Sequence, residues 1–228
     1  MDTSSKSSYM PALRFEGITP YYDAVVGLTS RERRFKQVLI DLADIRSGQQ
    51  VLDLSSGTGS LAICLKKAAP MAHITCIDAD AKVIASMQAK AAKAGTDIHF
   101  DIGDADQLPY ADEQFERVLS SLFFHHLSWE FKHRAAAELY RVMKPGAELY
   151  IADWGCPRSR LMRGLLLPIQ LLDGFASTQD NIDGKLIPLF KDNGFEQVTV
   201  QQTLSTMFGT MALYRAVKPL NPPPLLHC

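Results

Sequence analysis

The sequence predicts an α/β protein: a doubly wound, mostly parallel sheet closed by a C-terminal antiparallel hairpin. Three observations lead there. From Gln50 onward, short apolar runs alternate with longer amphipathic ones, and parallel strands need such helical crossovers. The first apolar run, Val51 to Leu54, feeds a turn of small residues, Ser55-Ser56-Gly57-Thr58-Gly59, that should open a helix. Near the C-terminus, two β-like runs at 196–203 and 210–217 are joined by a connection too short for a crossover. They should therefore pair antiparallel at one side of the sheet.

Taken in order, Thr29 and Glu32 stand at capping-box spacing, and Phe35, Val38, Leu39 and Leu42 then share one helical face. That predicts a first helix ending near 45–48. Strand 51–54 precedes a helix from about Ser60 to Ala69. Strand 73–77 precedes a helix over 81–94, with Asp80 as N-cap, Val83, Ile84, Met87 and Ala91 inward and Gly95 as its stop. Strands 97–102 and 116–122 follow, then a helix after Ser128 that turns Phe131, Ala135, Leu139 and Val142 inward. Lys144-Pro145-Gly146 should end that helix, ahead of a strand over 147–152. Beyond Asp153 the alternation stops: a leucine-rich segment, 160–175, leads to a polar loop, a short helix near 184–193 closed by Gly194, and the hairpin.

At 228 residues and 46% hydrophobic content the chain suits a single core. With 24 basic and 25 acidic side chains the formal charge is -1, which supplies no global field for nucleic acid or an anionic membrane. No basic stripe interleaved with aromatics and no Asn/Asp-Pro-Pro-Tyr run points to nucleic acid either. The cysteines, Cys64, Cys76, Cys156 and Cys228, form no C-x-x-C pair. That argues against a zinc site and a disulfide framework, and for reduced thiols in a cytoplasmic protein without a metal. The N-terminus is polar, without the apolar core of a signal peptide. The most apolar run, 161–172, is broken by Arg163, Pro168 and Gln170 and is too short to span a bilayer. Peripheral membrane contact stays open, because Arg31, Arg33, Arg34 and Lys36 on the first helix would either meet anionic headgroups or lie in water. Oligomeric state is not legible.

In a doubly wound sheet, ligands sit beyond the carboxyl ends of the strands. Gly57 and Gly59 let backbone approach a ligand closely, although a plain tight βα turn would look the same. Asp78 closes the second strand about 20 residues further on, the spacing at which a carboxylate meets ribose hydroxyls. Gly57-Thr58-Gly59-Ser60-Leu61-Ala62 satisfies the G-x-G-x-x-A dinucleotide pattern. An NAD(P)-binding oxidoreductase and an S-adenosylmethionine enzyme both fit at this point. Asp104, directly after the third strand in Asp101-Ile102-Gly103-Asp104-Ala105-Asp106, is placed to accept from an adenine amino group. The fourth strand ends in Ser120-Ser121-Leu122-Phe123-Phe124-His125-His126.

Together, V-L-D-L-S-S-G-T-G, the strand-ending Ile77-Asp78, G-D-A-D-Q-L-P-Y with D-E-Q-F-E-R-V, and R-V-M-K-P-G-A-E-L-Y-I-A-D carry a resemblance. Over about residues 21–217 the chain resembles the class I S-adenosylmethionine-dependent methyltransferases. Pro20-Tyr21-Tyr22-Asp23 and Phe208-Gly209-Thr210-Met211-Ala212-Leu213-Tyr214-Arg215 are most similar to the branch containing ubiquinone/menaquinone and phospholipid methyltransferases. The resemblance implies a seven-stranded sheet whose final hairpin inserts one antiparallel strand. It also implies S-adenosyl-L-methionine as cofactor and S-adenosyl-L-homocysteine as product. Asp53, Ser55 and Gly57 would line the methionine end, Asp78 and Ala79 the ribose, Asp104 and Ala105 the adenine, and Ser120 or Ser121 the sulfonium. Tyr22 would close over the cofactor from an N-terminal arm, 1–28, ahead of the domain at 29–217; residues 218–228 would form a flexible tail. Ser55 departs from the pattern, which usually has glycine there. If the position needs positive φ, serine adds strain, and a non-catalytic binding protein with a weakened loop becomes an alternative.

A base is needed only if the acceptor must lose a proton; His125, His126 and Asp153 are the candidates, since strands four and five end at the same cleft. Paired histidines here could instead be structural. Leu161, Met162, Leu165, Leu166, Leu167, Ile169, Leu171 and Leu172 are apolar on too many faces for an ordinary surface helix. They would either pack in the core or form a lid, 155–183, over a small hydrophobic methyl acceptor such as a quinone-like ring or a lipid amine.

Overall fold

The computed structural model describes residues 32–57 and 59–221. Thr29, the whole N-terminal arm with Tyr22, Thr58 and the last residues of the tail lie outside them. Helix α1, Glu32–Ala43, buries Phe35, Leu39, Ile40 and Ala43. Strand β1, Gln50–Leu54, is followed by α2, Ser60–Ala68; β2, His73–Asp78, by α3, Ala81–Ala94; and β3 is His99–Ile102. The caps of α3 are those that its sequence predicts. The Asp80 side chain accepts from the Lys82 amide, and Gly95 ends the helix at φ 64°, where glycine avoids the Cβ cost of the left-handed region.

Strand β4, Phe115–Ser121, runs through a 3-10 turn, Phe124–His126, into α4, Trp129–Val142, which Ser128 caps by accepting from the Phe131 amide. Lys144-Pro145-Gly146 does not end that helix. The helix stops at Val142, and β5, Met143–Trp154, takes the tripeptide in as strand, with a register shift against β4 between Phe115 and Arg117. Proline is tolerated here because the irregular pairing asks for no regular ladder bond at that point.

The leucine-rich segment divides into α5, Arg160–Leu165, and α6, Leu167–Asp173. The stretch read as a polar loop is a helix, α7, Phe175–Ile182. Its polar residues misled the reading because they face inward: Ser177, Thr178, Asp180 and Asn181 are buried. Helix α8, Leu186–Asp192, and the strands β6, Glu196–Thr206, and β7, Gly209–Val217, complete the described chain. Lys218, assigned to the loose tail, is buried instead, with its ammonium donating to the Met143 carbonyl at 2.8 Å.

The seven strands form one sheet in the order β3-β2-β1-β4-β5-β7-β6. All neighbours are parallel except those of β7, which lies antiparallel between β5 and β6. Strand β6 forms one edge, with register irregularities between Glu196 and Thr199 and between Val200 and Gln202. Two apolar layers cover the faces. Phe124, Phe131, Leu139, Phe190 and Phe195 lie in one; Phe35, Leu39, Leu61, Leu65, Leu166 and Ile169 lie in the other. The chain order reverses between β1 and β4, so the crevice beyond their carboxyl ends is the expected ligand position. No helix among the described residues is long and apolar enough to cross a membrane.

Gly209 ties the hairpin to the leucine-rich segment. Its φ is 117°, and a Cβ there would lie 2.4 Å from Leu166 Cγ. Gly209→Ala should cost about 2–3 kcal/mol through overpacking and backbone strain, read as a lower urea midpoint with an unchanged m-value.

Candidate active site

The βα turn after β1 is built from backbone conformations that favour glycine. Gly57 and Gly59 have φ of 50° and 71°, and Ser55 takes the same left-handed path at φ 53°. The position therefore requires positive φ, and serine follows the glycine-like route. Ser55 is held there by its amide, which donates to the Ile77 carbonyl at 2.9 Å. Ser56 turns inward, its hydroxyl donating to the Asp53 carbonyl at 2.7 Å. Gly59 also admits α3, since a Cβ there would meet Met87 Cγ at 2.7 Å; with Cβ-free backbone at Gly57 and Gly59, the turn sits tight against the sheet and open toward solvent.

Asp78 binds this turn to the end of β2. One carboxylate oxygen accepts from the Gly57 amide at 3.2 Å, the other from the Asp80 amide at 3.1 Å. Burial still holds its pKa above the usual carboxylate value, against those two amides.

Between the ends of β1, β2, β3 and β4 opens a cleft. Ser55, Asp78, Ala79, Asp104 and Ala105, all read from sequence as cofactor-lining, face it. So do Leu54, Ile77, Gly103, Phe123 and Phe131, which that reading missed. The two phenylalanines supply flat apolar walls suited to a ring system. Phe123 lies two residues beyond β4 and was legible as a strand-end residue; Phe131, on the inward face of α4, reads from periodicity only as core.

Asp53, Gly57, Ser120 and Ser121 are not among the cleft's lining residues. Ser120 is wholly buried, its hydroxyl donating to the Leu54 carbonyl at 3.1 Å, whereas Ser121 is half-buried. Asp53 is also wholly buried, and neither carboxylate oxygen has a hydrogen-bond partner among the described residues. Burial raises its pKa to about 7, although the Lys36 ammonium pulls the other way. Lys36 is thus no solvated or headgroup-facing residue. It is buried beneath the turn, in contact with Glu32 and the Ser60 hydroxyl, while Arg33 and Arg34 are exposed and Arg31 lies outside the described residues.

Beyond β4 and β5 the structure brings His125, His126 and Asp153 together. His125 Nδ1 lies 2.7 Å from Asp153 Oδ1, and the two imidazole centroids are 3.9 Å apart. Asp173, from α6, joins them at 3.5 Å from His125 Nε2 and 3.8 Å from His126 Nδ1. The carboxylates of Asp153 and Asp173 outweigh burial and raise the His125 pKa to about 9, while burial and His125 lower that of His126 to about 4. Behind the cluster, Lys132 is fully buried, donating to the Ser177 carbonyl at 2.7 Å and lying 3.5 Å from Asp180.

The geometry matches what comparison with known proteins finds. A family model described as a methyltransferase domain matches residues 51–146, β1 through the start of β5. The demethylmenaquinone methyltransferase of Thermus thermophilus is 33% identical over 145 residues, spanning 63% of this chain and 65% of that protein. That of Paenarthrobacter aurescens is 34% identical, over 68% of this chain and 58% of the relative. The chain thus spans less than two thirds of either. The ubiquinone/menaquinone biosynthesis C-methyltransferase of Pseudomonas putida matches more of its length, 87%, at 25% identity. Among solved structures, an S-adenosylmethionine-dependent methyltransferase from Aquifex aeolicus superposes with a TM-score of 0.62 at 19% identity, covering 80% of this chain and 89% of that one. The [4+2]-cyclase SpnF superposes at 0.65 and 20% identity, covering 82% and 81%.

A parallel sheet with one inserted antiparallel strand, a left-handed turn after β1 and carboxylates at the ends of β2 and β3 define a class I S-adenosylmethionine-dependent methyltransferase domain. Within that class, the relatives it resembles in sequence are demethylmenaquinone and ubiquinone/menaquinone methyltransferases.

Because Ser55 sits in the left-handed region, Ser55→Gly should stabilise the fold by up to about 1 kcal/mol, and the β-branched Ser55→Val should destabilise it by more than that. Chemical denaturation of the two variants against the parent checks both signs.

Proposed function

We propose that the protein transfers the methyl group of S-adenosylmethionine to a small hydrophobic acceptor of quinone-like or lipid-amine type. The observation that carries this reading is the cleft at the switch point, with carboxylates at two successive strand ends and a buried, unpartnered carboxylate behind its glycine turn. When bound, S-adenosylmethionine supplies a methyl group on a sulfonium, already activated for in-line displacement.

The residues divide the work by chemistry. Asp78 accepts hydrogen bonds from the ribose hydroxyls, and its two amide contacts keep it aimed as it does so. Asp104 and Ala105 meet the adenine edge, between the rings of Phe123 and Phe131. Asp53, with no partner among the described residues, is matched to the ammonium of the methionine moiety. With the leaving group activated, the main task left to the protein is alignment of the acceptor and exclusion of water.

The acceptor's character rests on the segment 155–183. Its two readings, core packing and lid, divide along the helix faces. Leu166 and Ile169 pack into the core, while Leu161, Leu171, Leu172 and Phe175 stand at least half exposed beside the strand ends. An apolar face there suits a lipophilic acceptor. Relatives named for menaquinone and ubiquinone biosynthesis support the same substrate class. The weakened-loop alternative rested on Ser55 alone, and Ser55 keeps the glycine-like path. The fold by itself decides nothing about reaction type, since the [4+2]-cyclase shares it.

Titration calorimetry should show saturable binding of S-adenosylmethionine and S-adenosylhomocysteine, weakened about 10–100-fold by Asp78→Ala; no binding overturns the reading. Asp53 holds a proton below about pH 7, and an ammonium placed beside it favours the ionised form. Affinity should therefore fall as pH drops through 7, by up to about tenfold per pH unit, with net proton release near pH 7. Asp53→Asn should flatten that pH dependence. Labelled methyl transfer into a fractionated lipid extract identifies the acceptor.

A further inference from the structure

Outside the cofactor cleft, three metal-type ligands meet where the sheet's end touches the leucine-rich segment. His125 and His126 stand in the 3-10 turn after β4, and Asp173 closes α6. One ring nitrogen from each histidine and one carboxylate oxygen lie within 4.8 Å of one another. We propose that His125, His126 and Asp173 bind a divalent first-row transition-metal ion that fastens the segment 155–183 to the carboxyl end of the sheet.

The spacing carries the argument. The 2.7 Å separation of His125 Nδ1 and Asp153 is a direct hydrogen bond, whereas 3.5 Å from His125 Nε2 to Asp173 is at the outer limit of one and 3.8 Å from His126 Nδ1 to Asp173 is beyond it. Ligands bound at about 2.0–2.2 Å in tetrahedral array lie roughly 3.3–3.6 Å apart, so the 3.5 Å separation already matches and the His126 ring needs only a small approach to share an ion. The supporting contact is also in place. Asp153 accepts from Nδ1, so an ion that displaces the proton from Nε2 would meet its lone pair on the side of Asp173, the arrangement by which a carboxylate orients a metal-binding histidine.

Charge and access agree with spacing. The side chains of His125 and Asp173 are 3% and 4% exposed, and two buried carboxylates face one imidazole. Buried negative charge requires a nearby cation, a role held by the imidazole proton of His125 and open to an ion that displaces it. His126 remains 18% exposed, which gives an ion a way in and leaves room for a solvent ligand. Two nitrogens and one oxygen favour zinc, cobalt or their neighbours over magnesium or calcium. Asp173 stands immediately before Gly174, whose φ of 97° turns the chain from α6 into α7. An ion there would fix that corner. The sequence argument against a metal rested on cysteines and did not reach a site assembled from a His-His pair and an aspartate 47 positions further on.

The test uses the full-length protein stripped by chelator, with Co²⁺ as the probe. One equivalent should produce the intense visible bands of a tetrahedral site, Zn²⁺ should abolish them, and saturating Zn²⁺ should raise Tm by roughly 5 °C. Asp173→Asn and His126→Ala should each lose the bands, with circular dichroism checking that both are folded. Absence of the bands and of any Tm shift in the parent protein overturns the proposal, leaving a cluster that holds a proton only. Bands that persist in both variants overturn it as well, by placing the ion elsewhere. Calorimetry of S-adenosylmethionine on the same stripped protein keeps the cofactor reading separate from this one.

Discussion

The cleft depends on the carboxylate of Asp78. Its side chain joins the turn after β1 to the start of α3, through the amides of Gly57 and Asp80. Two neighbouring parallel strands end at similar heights but have no ladder bonds beyond their last residues, so their loops need a tie of another kind. A backbone donor pair shared by one carboxylate provides it, and a carboxylate that accepts two amides still has lone pairs for a ligand. On the proposed function, the ribose position and the shape of the turn are set by the same group.

Much of this was legible in the sequence because it rests on local chemistry. The alternation of runs, the Asp80 and Ser128 caps, the Gly95 stop and the short link between β6 and β7 each have a local cause, and the structure follows them. Ser55, Asp78, Ala79, Asp104 and Ala105, expected from strand-end position and from the resemblance, line one cleft because strand ends in a doubly wound sheet converge at one place. What escaped has a non-local cause. Lys144-Pro145-Gly146 reads as a helix stop until β4 offers an irregular partner, and α7 reads as a loop because its buried polar residues answer Lys132, more than 40 positions earlier. Lys36 and Phe131 look like a surface charge and a core aromatic, and only tertiary packing sets one beneath the turn and the other at the cleft.

The polar groups are distributed unevenly. Among the described residues the cofactor cleft has one buried carboxylate without a partner behind it, while beside α6 and α7 the paired groups His125, Asp153, Asp173, Lys132 and Asp180 sit within one connected region. Such a region is stable only when its charges are nearly balanced. Small changes in what is bound there should therefore act on the whole of α6 and α7 together, not on single side chains.

The edge strand has a consequence of its own. An eleven-residue strand at the border of a sheet offers another molecule a long row of free amides and carbonyls, the usual starting point for association into fibres. The two register irregularities in β6, and the left-handed backbone of Gln197 at φ 50°, break that row into short pieces out of phase with a regular strand. The outer border of the molecule is thus a poor template for a foreign strand, and this sheet can remain open at β6 without recruiting another chain.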